Sequence, residues 1–446
     1  MGLRDIVLTA VVFGLLPVIL RRPWIGVLTW AWLGLMNPHR MAWGFAYSMP
    51  FSQIVALTTL GALLFSSEKK SFPRNGVIVI WVIFILWMCI TTVFALVPDN
   101  AWPEWSRTMK IQLFAFITLL LINTRERLHL YVIVVTFSIA FFGIKGGVFV
   151  LGTGGNYMVM GPEGSFISGN NSIALALIMV LPLMRYIQLQ VKQRWMIHAL
   201  SVGMGLSALS ILASYSRGAI VALAVMGMFL IAKTRKKAWL VLALALAIPL
   251  TLAFLPEKWY SRVETIENYE EDVSLQGRFN AWWFAFHLAN DRPLVGGGFR
   301  AFDRALFYQY APDPRNYRDA HSIYFEMLGE HGYVGLFLFL LLGSVGLYNG
   351  TAIIRKTRDR PDLAWARDLA RMTQVAGIGY AAGGVFLGLA YFDLYYALLA
   401  ILVITRSIVE RTQEPAGVNE TQALPRRNIF ARAGSDGGSK LRRSSP

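Results

Sequence analysis

The chain has little cysteine and little charge. Among its 446 residues there is one cysteine, Cys89, and 15% are charged, whereas about 25% of the residues in a soluble domain are charged. One cysteine can form no intrachain disulfide and provides no cysteine-based metal site. The low charge excludes a soluble enzyme, a secreted disulfide scaffold and a disordered chain, because a soluble chain of this length needs far more polar surface.

Sequence motifs for nucleotide chemistry are absent as well. The chain contains no Walker loop, no dinucleotide-binding fingerprint and no nucleophile elbow. We therefore expect no cofactor and no direct use of cytoplasmic ATP. A reaction on the outer face of a membrane then needs a substrate that carries its own activation, and a lipid-linked diphosphate is of that kind.

Long apolar runs are abundant. Hydrophobic residues make up 55% of the chain, and about 20 consecutive apolar residues cross a bilayer. The sequence therefore predicts an all-α polytopic membrane protein. Candidate spans lie at 6–20, 24–36, 51–66, 77–97, 109–122, 130–150, 172–189, 196–213, 219–232, 238–255, 322–348, 372–389 and 391–407. The first two are short, so we predict about 12 transmembrane helices, with 12 and 13 both open.

The charges of the loops predict the orientation. One alternating set of loops, together with the C-terminal tail, is net positive throughout, whereas the loop 256–320 has eight basic and ten acidic residues. By the positive-inside rule, the basic loops and the tail face the cytoplasm and the loop 256–320 lies outside, in the periplasm of a Gram-negative cell. This orientation accounts for the net charge of +16 without a nucleic-acid partner. It predicts a multi-pass protein of the bacterial inner membrane, in contact with membrane lipids.

Five segments follow along the chain. They are an N-terminal transmembrane region (1–170), helices of the core (171–255), one large periplasmic loop with short helices (256–320), C-terminal transmembrane helices (321–410) and a disordered basic cytoplasmic tail (411–446). The tail lacks apolar periodicity. Within the loop, aromatic residues at helical spacing predict an amphipathic helix over 278–288, which either lies on the membrane surface or packs on the bundle.

Three polar residues on the external side are candidates for chemistry. Arg217 stands between two spans, where it either binds a phosphate bidentately or extends to the membrane interface. Arg278 begins the amphipathic helix and either faces the same anion or is a solvated surface charge. His321 lies where the loop re-enters the membrane and has the chemistry of a general base, although a single histidine is more often structural.

The same region raises the question of a metal site. His321, Glu326 and His331 are candidate ligands, but the histidines are ten residues apart, which fits no common ligand pattern. We therefore expect no metal.

Together these residues resemble the O-antigen ligase / polysaccharide polymerase superfamily. The shared order runs through Ser216-Arg217-Gly218, Arg278 with Trp282, Asp291-x-Pro293-Leu294-x-Gly296-x-Gly298-Phe299, and His321 with Tyr324, Glu330 and Gly332. The family usually has asparagine after the histidine, where this chain has Ser322. N-terminal segments such as Arg22-Pro23-Trp24, Asn37-Pro38-His39-Arg40 and Trp43-Gly44-Phe45 resemble the branch of O-glycosylation ligases associated with the exosortase A system.

The resemblance implies a membrane glycosyltransferase at the periplasmic face. Its donor is a preassembled glycan on undecaprenyl diphosphate, and its acceptor hydroxyl belongs either to a lipid A core sugar of lipopolysaccharide or to a Ser/Thr of an exported protein. It further implies metal-independent general-base catalysis with inversion, with His321 as the base and Arg217 and Arg278 as ligands of the diphosphate. Ser216, Tyr324, Glu330 and Arg300 are candidate supporting residues.

Two alternatives stay open from the sequence. A polysaccharide polymerase joins two lipid-linked repeats with the same catalytic parts. A more distant alternative is a flippase or transporter of the lipid-linked glycan, which performs no chemistry. Transporters usually carry polar residues near the middle of the membrane, whereas those of this chain collect at the external side.

Overall fold

The computed structural model describes residues 2–68, 70–233 and 273–413. In these ranges the chain forms fourteen α-helices and no strand, which confirms the all-α prediction. The helices are α1 Leu3–Arg21, α2 Pro23–Met36, α3 Phe51–Phe65, α4 Gly76–Val93, α5 Pro98–Leu121, α6 Arg125–Thr153, α7 Asn170–Gln190, α8 Arg194–Leu212, α9 Arg217–Lys233, α10 Val273–Asp291, α11 Arg304–Tyr310, α12 Ile323–Lys356, α13 Ala364–Gly383 and α14 Asp393–Gln413. The predicted span 238–255, the loop residues 256–272 and the tail after 413 lie outside the described residues.

Polar side chains mark several helix ends. The side chain of Asn75 accepts a hydrogen bond from the backbone N–H of Val77 and caps α4, and Thr124 caps α6 in the same way. These caps satisfy backbone donors that have no partner inside the helix. At the other end of α6, Gly154 has φ +61°, the left-handed conformation that commonly terminates a helix.

The apolar helices support a multi-pass membrane protein. Among the described helices, α1, α4, α6, α7, α8 and α12 are long and apolar enough to cross a membrane. Three more, α2, α3 and α9, are apolar but shorter. All nine coincide with predicted spans. The total of about twelve spans and the periplasmic position of the long loop stay predictions.

The centre of the bundle is formed by α7. Each residue from Ala174 to Val180 is fully buried, and the helix packs against α6, α8, α9 and α13. A helix that is apolar on every face needs neighbours on every side. Residues 394–405 of α14 are likewise almost all buried. These two helices position the segments before them, 165–169 and 387–391, beside the cavity described below.

The predicted amphipathic helix is present as α10. Its inner face packs on α12, with Phe284 and Leu288 fully buried. Its other face leaves Phe279, Trp283 and Phe286 exposed by 39–53%. The sequence left open whether this helix lies on the membrane surface or packs on the bundle. One face packs on the bundle, and the exposed aromatic face is free to lie at a membrane surface.

A break divides α12, the helix that contains the predicted span 322–348. Gly332 has φ +67°, so that Ile323–His331 and Tyr333–Lys356 are two helical pieces. A turn of three glycines, Gly296-Gly297-Gly298, packs against this break. The N–H of Gly297 donates to the carbonyl of Gly329 at 2.8 Å, and the N–H of Gly298 donates to the backbone carbonyl of Glu330 at 2.8 Å. These interactions replace helical hydrogen bonds inside the predicted span, and hydropathy does not register such a break.

Substitution of Gly332 by alanine tests the importance of this break. A Cβ at Gly332 would lie 2.5 Å from the carbonyl oxygen of Leu294, in a backbone conformation that disfavours side chains. We expect Gly332→Ala to destabilise the protein by about 1–3 kcal/mol, the usual cost of backbone strain. The measurement is thermal unfolding in detergent, with Gly205→Ala as control because a Cβ there meets nothing within 4 Å. Equal stability of the two variants would argue against strain at the break.

The end of α13 also departs from its predicted span, 372–389. The helix ends at Gly383, a 3₁₀ turn covers Gly384–Phe386, and residues 387–390 are not helical. The freed backbone groups find side-chain partners, since the hydroxyl of Tyr380 donates to the carbonyl of Leu389 at 2.9 Å and the N–H of Ala390 donates to Glu326 at 3.2 Å. The apolar run therefore continues past the helix as a segment that lines the cavity.

Candidate functional site

A cavity of about 440 Å³ lies where several helix ends meet. Its walls come from the first half of α5, the connection between α6 and α7, the turn after Gly298, the start of α12 and the segment before α14. The lining residues are Glu104, Arg107, Ser165, Phe166, Ser168, Gly169, Asn170, Asn171, Ser172, Arg300, Phe302, Asp319, Ala320, His321, Glu326, Glu330, Leu387, Gly388, Leu389 and Tyr391. Volumes of this size are typical of small-molecule sites.

His321 lies on the wall of this cavity in a constrained backbone. Its φ is +44°, which is uncommon for a residue other than glycine and often marks a functional position. The preceding carbonyl, that of Ala320, accepts a hydrogen bond of 2.9 Å from the indole of Trp282. The ring of Trp282 also stacks on Phe325, with centroids 4.8 Å apart. Thus α10 holds the segment that carries His321.

The surroundings of His321 favour the neutral imidazole. Burial lowers its pKa below the ordinary value of 6.5, and the charge of Arg278 lowers it further. Asp319 acts in the opposite direction. A neutral imidazole at neutral pH can accept a proton, as a general base must.

Neither Arg217 nor Arg278 is among the described residues that line the cavity. The half-buried Arg278 acts electrostatically on His321. Arg217 begins α9. Just before it, the carbonyl of Ser214 accepts a hydrogen bond of 2.8 Å from the cavity residue Asn170. Gly218 packs so closely on Phe386 that a Cβ would lie 2.8 Å from its side chain.

The four supporting candidates divide into two pairs. Arg300 and Glu330 line the cavity. Ser216 and Tyr324 do not: the buried Ser216 accepts a hydrogen bond from the N–H of Ala219 at the start of α9. The hydroxyl of Tyr324 donates to the carbonyl of Ala381 at 2.7 Å, which joins α12 to α13. Both of these contacts are structural.

Arg300 is fixed from two sides. Its guanidinium donates to Glu104 at 2.9 and 3.1 Å, and its backbone N–H donates to Glu330 at 2.8 Å. Burial opposes the charge of Arg300, but the ion pair and hydrogen bond with Glu104 outweigh it and raise the pKa above its ordinary value. Oε1 of Glu104 also lies 3.8 Å from Nη1 of Arg107. One carboxylate therefore lies between two guanidinium groups.

A chain of buried hydrogen bonds supports Glu330. Its carboxylate accepts a hydrogen bond from the hydroxyl of Tyr391, whose oxygen is 2.8 Å from Nε2 of His331. Nδ1 of His331 is 2.6 Å from the hydroxyl of Thr91. Both ring nitrogens of His331 are therefore engaged in this chain. Within the described ranges, no group of three or more His, Cys, Asp and Glu has the geometry to hold a metal ion.

Several cavity residues escape the sequence analysis. Glu104 and Arg107 stand three residues apart just before an apolar run, a weak signal that a charged face precedes a span. Glu326 lies in the segment singled out around His321, but only as a metal candidate. The polar residues of 165–172 stand in a loop with no recognisable motif. None of these signals reports which distant residues share a cavity.

Two family models match parts of the chain. Residues 202–340 match the family model of O-antigen ligases. Residues 3–192 match a family of unknown function. Each model covers less than half of the chain, and no curated protein matches it.

The first match supports the O-antigen ligase superfamily. It implies enzyme activity of the ligase or polymerase type in general, with a lipid-linked glycan and an acceptor as partners. Arg217, Arg278 and His321 all lie inside the matched residues. The assignment to the exosortase A branch stays a prediction.

Proposed function

We propose that this protein is a membrane glycosyltransferase that moves a preassembled glycan from undecaprenyl diphosphate to an acceptor hydroxyl. The observation that carries this proposal is the position of His321, which lies within the part of the chain that matches O-antigen ligases and lines a polar cavity. The proposal includes the bacterial inner membrane as its location, with the cavity on the periplasmic side.

In the proposed reaction His321 removes the proton of the acceptor hydroxyl. The acceptor oxygen forms a bond to the anomeric carbon while the bond from that carbon to the diphosphate oxygen breaks. The proton goes to His321 and the electron pair goes to the leaving diphosphate. A single displacement of this kind inverts the anomeric carbon. The neutral imidazole that burial and Arg278 favour supports the role of His321 as the base.

Arg217 and Arg278 are proposed to stabilise the leaving diphosphate. Negative charge increases there in the transition state, which is where fixed cations lower the barrier most. The electrostatic influence of Arg278 on His321 supports a position close to the base. Because two guanidinium groups supply this charge, we propose that the reaction needs no metal, and we expect chelators to leave the rate unchanged.

Polymerisation is the second candidate within the same family. A ligase moves the glycan as one block, whereas a polymerase makes a ladder of lengths on the carrier, so the size of the product distinguishes them. A flippase is disfavoured because the polar residues of the cavity gather around a candidate base.

The experiment that tests the proposal is reconstitution of the purified protein with a defined lipid-linked donor. A lipid A core acceptor and a Ser/Thr peptide compete in the same reaction, with and without chelator. We expect block transfer to one of them. The proposal would be contradicted if neither acceptor received the glycan and no ladder of lengths formed on the carrier.

The pH dependence of transfer tests the base directly. His321 must be neutral, and its pKa is lowered, so transfer should be constant at neutral pH and fall only below its ordinary pKa of 6.5. Arg278→Gln removes a charge that lowers this pKa and should move the acidic limb to higher pH. Asp319→Asn removes a charge that raises it and should move the limb to lower pH. Shifts in the same direction, or none, would argue against His321 as the titrating group.

A further inference from the structure

The cavity is built jointly by the two matched regions of the chain. Glu104, Arg107 and residues 165–172 lie within the residues that match the family of unknown function. Arg300, His321 and Glu330 lie within the O-antigen ligase match. We call Glu104, Arg107 and residues 165–172 the N-terminal wall. It lines the same cavity as the candidate base, so its chemistry bears on what the cavity binds.

The N-terminal wall offers hydrogen-bonding groups that the protein leaves unused. The side chains of Ser168, Asn171 and Ser172 form no hydrogen bond with any described residue, although all three line the cavity and are half-buried. An amide both donates and accepts, and so does a hydroxyl. The N–H of Gly161 donates to the carbonyl of Ser168 at 3.1 Å, which closes the loop and holds this wall in place before a ligand arrives.

An aromatic ring stands beside these groups. The guanidinium carbon of Arg107 lies 3.6 Å from the ring centroid of Phe166, a cation–π contact that fixes the ring against the wall. A few well-placed polar groups beside an apolar surface are typical of small-ligand sites. A pyranose has the matching shape, with hydroxyl groups at its rim and C–H groups on its face.

The charges of the cavity argue against a diphosphate inside it. Four carboxyl groups line it, those of Glu104, Asp319, Glu326 and Glu330, whereas among the described lining residues only Arg107 and Arg300 are permanently cationic. Both arginines already face Glu104. A diphosphate inside the cavity would therefore have to compete with Glu104 for both arginines. Sugar hydroxyls, in contrast, donate readily to carboxylates.

We propose that the N-terminal wall is a saccharide subsite that holds the sugar next to the carrier diphosphate. This inference rests on the proposed function. The sugar lies in the cavity, and the diphosphate lies outside its walls, toward Arg217 and Arg278. The region that matches the family of unknown function thereby selects the glycan, while the O-antigen ligase region performs the transfer.

Binding of two carriers to the full-length protein in detergent tests this inference. The probes are undecaprenyl diphosphate and undecaprenyl diphosphate N-acetylglucosamine, and the ratio of their dissociation constants reports the contribution of the sugar. The variants are Asn171→Ala and Ser172→Ala. Asn156→Ala is the matched control. Asn156 lies in the connection that leads into α7, is exposed and does not line the cavity, and its side chain donates a hydrogen bond to the carbonyl of Thr153.

We expect the wild type and Asn156→Ala to prefer the glycosylated carrier. In each wall variant the ratio of the two dissociation constants should shrink about tenfold, which corresponds to the loss of one hydrogen bond of about 1.4 kcal/mol. Each wall variant should bind the bare carrier with wild-type affinity. An unchanged preference in both wall variants overturns the subsite and leaves the proposed function intact. Failure of the wild type to bind either carrier overturns both. A symmetrical elution peak in size-exclusion chromatography shows that each variant is folded.

Discussion

His321→Ala should abolish transfer while binding of the lipid-linked donor persists. Loss of a general base typically lowers the rate by about 10²–10⁴-fold. The donor should still bind, because its diphosphate and sugar contact other residues in the proposed arrangement. The measurement combines initial rates of transfer with the dissociation constant of the donor. A large fall in rate at constant donor affinity is the signature of a residue that acts in the transition state.

His198→Ala is the matched control for this prediction. His198 lies on α8, is exposed and is not among the described residues lining the cavity. The His198→Ala variant should transfer the glycan at the wild-type rate. Wild-type transfer by His321→Ala would remove this residue from the mechanism. A parallel loss of donor binding would instead assign His321 a role in holding the substrate.

Arg217→Ala should cause the second large loss. Removal of one fixed group that stabilises developing charge costs about 10²–10³-fold in rate. Arg217→Lys should recover little, because an ammonium group cannot reproduce the bidentate geometry of a guanidinium on a diphosphate. Rates at saturating donor distinguish this effect from weaker binding alone.

Arg194→Ala provides the comparison for Arg217→Ala. Arg194 begins α8 just as Arg217 begins α9, but it is exposed and falls in one of the loops predicted to be cytoplasmic. The account predicts wild-type rates for this variant. Full activity of Arg217→Lys would indicate that a point charge is enough, and full activity of Arg217→Ala would exclude the proposed contact.

The helices could largely be predicted from the sequence. Apolar runs predict α4 and α7 to within a few residues at most ends, because burial in a bilayer or a bundle requires continuous apolar surface. The break at Gly332 and the early end of α13 could not be predicted. Both depend on backbone groups that bond to distant segments, namely the turn at Gly297 and the side chain of Glu326.

The site was less accessible to sequence reasoning than the fold. His321 stood out by its position at the edge of a span, and the structure places it on the cavity. Glu104 and Arg300 are 196 residues apart and no local pattern connects them. The N-terminal wall has no motif of its own, since serine and asparagine in a loop are the ordinary composition of a turn. Only the tertiary fold brings it to the cavity that His321 also lines.

The central claim is that this chain transfers a glycan from a lipid carrier. The most direct measurement is mass spectrometry of all products from proteoliposomes that contain only this protein, a lipid-linked glycan of defined length and an acceptor. The account predicts a glycan of unchanged length on the acceptor and one undecaprenyl diphosphate released for each transfer, with neither product from His321→Ala. Intact donor recovered from the opposite leaflet, with no covalent product, would contradict it.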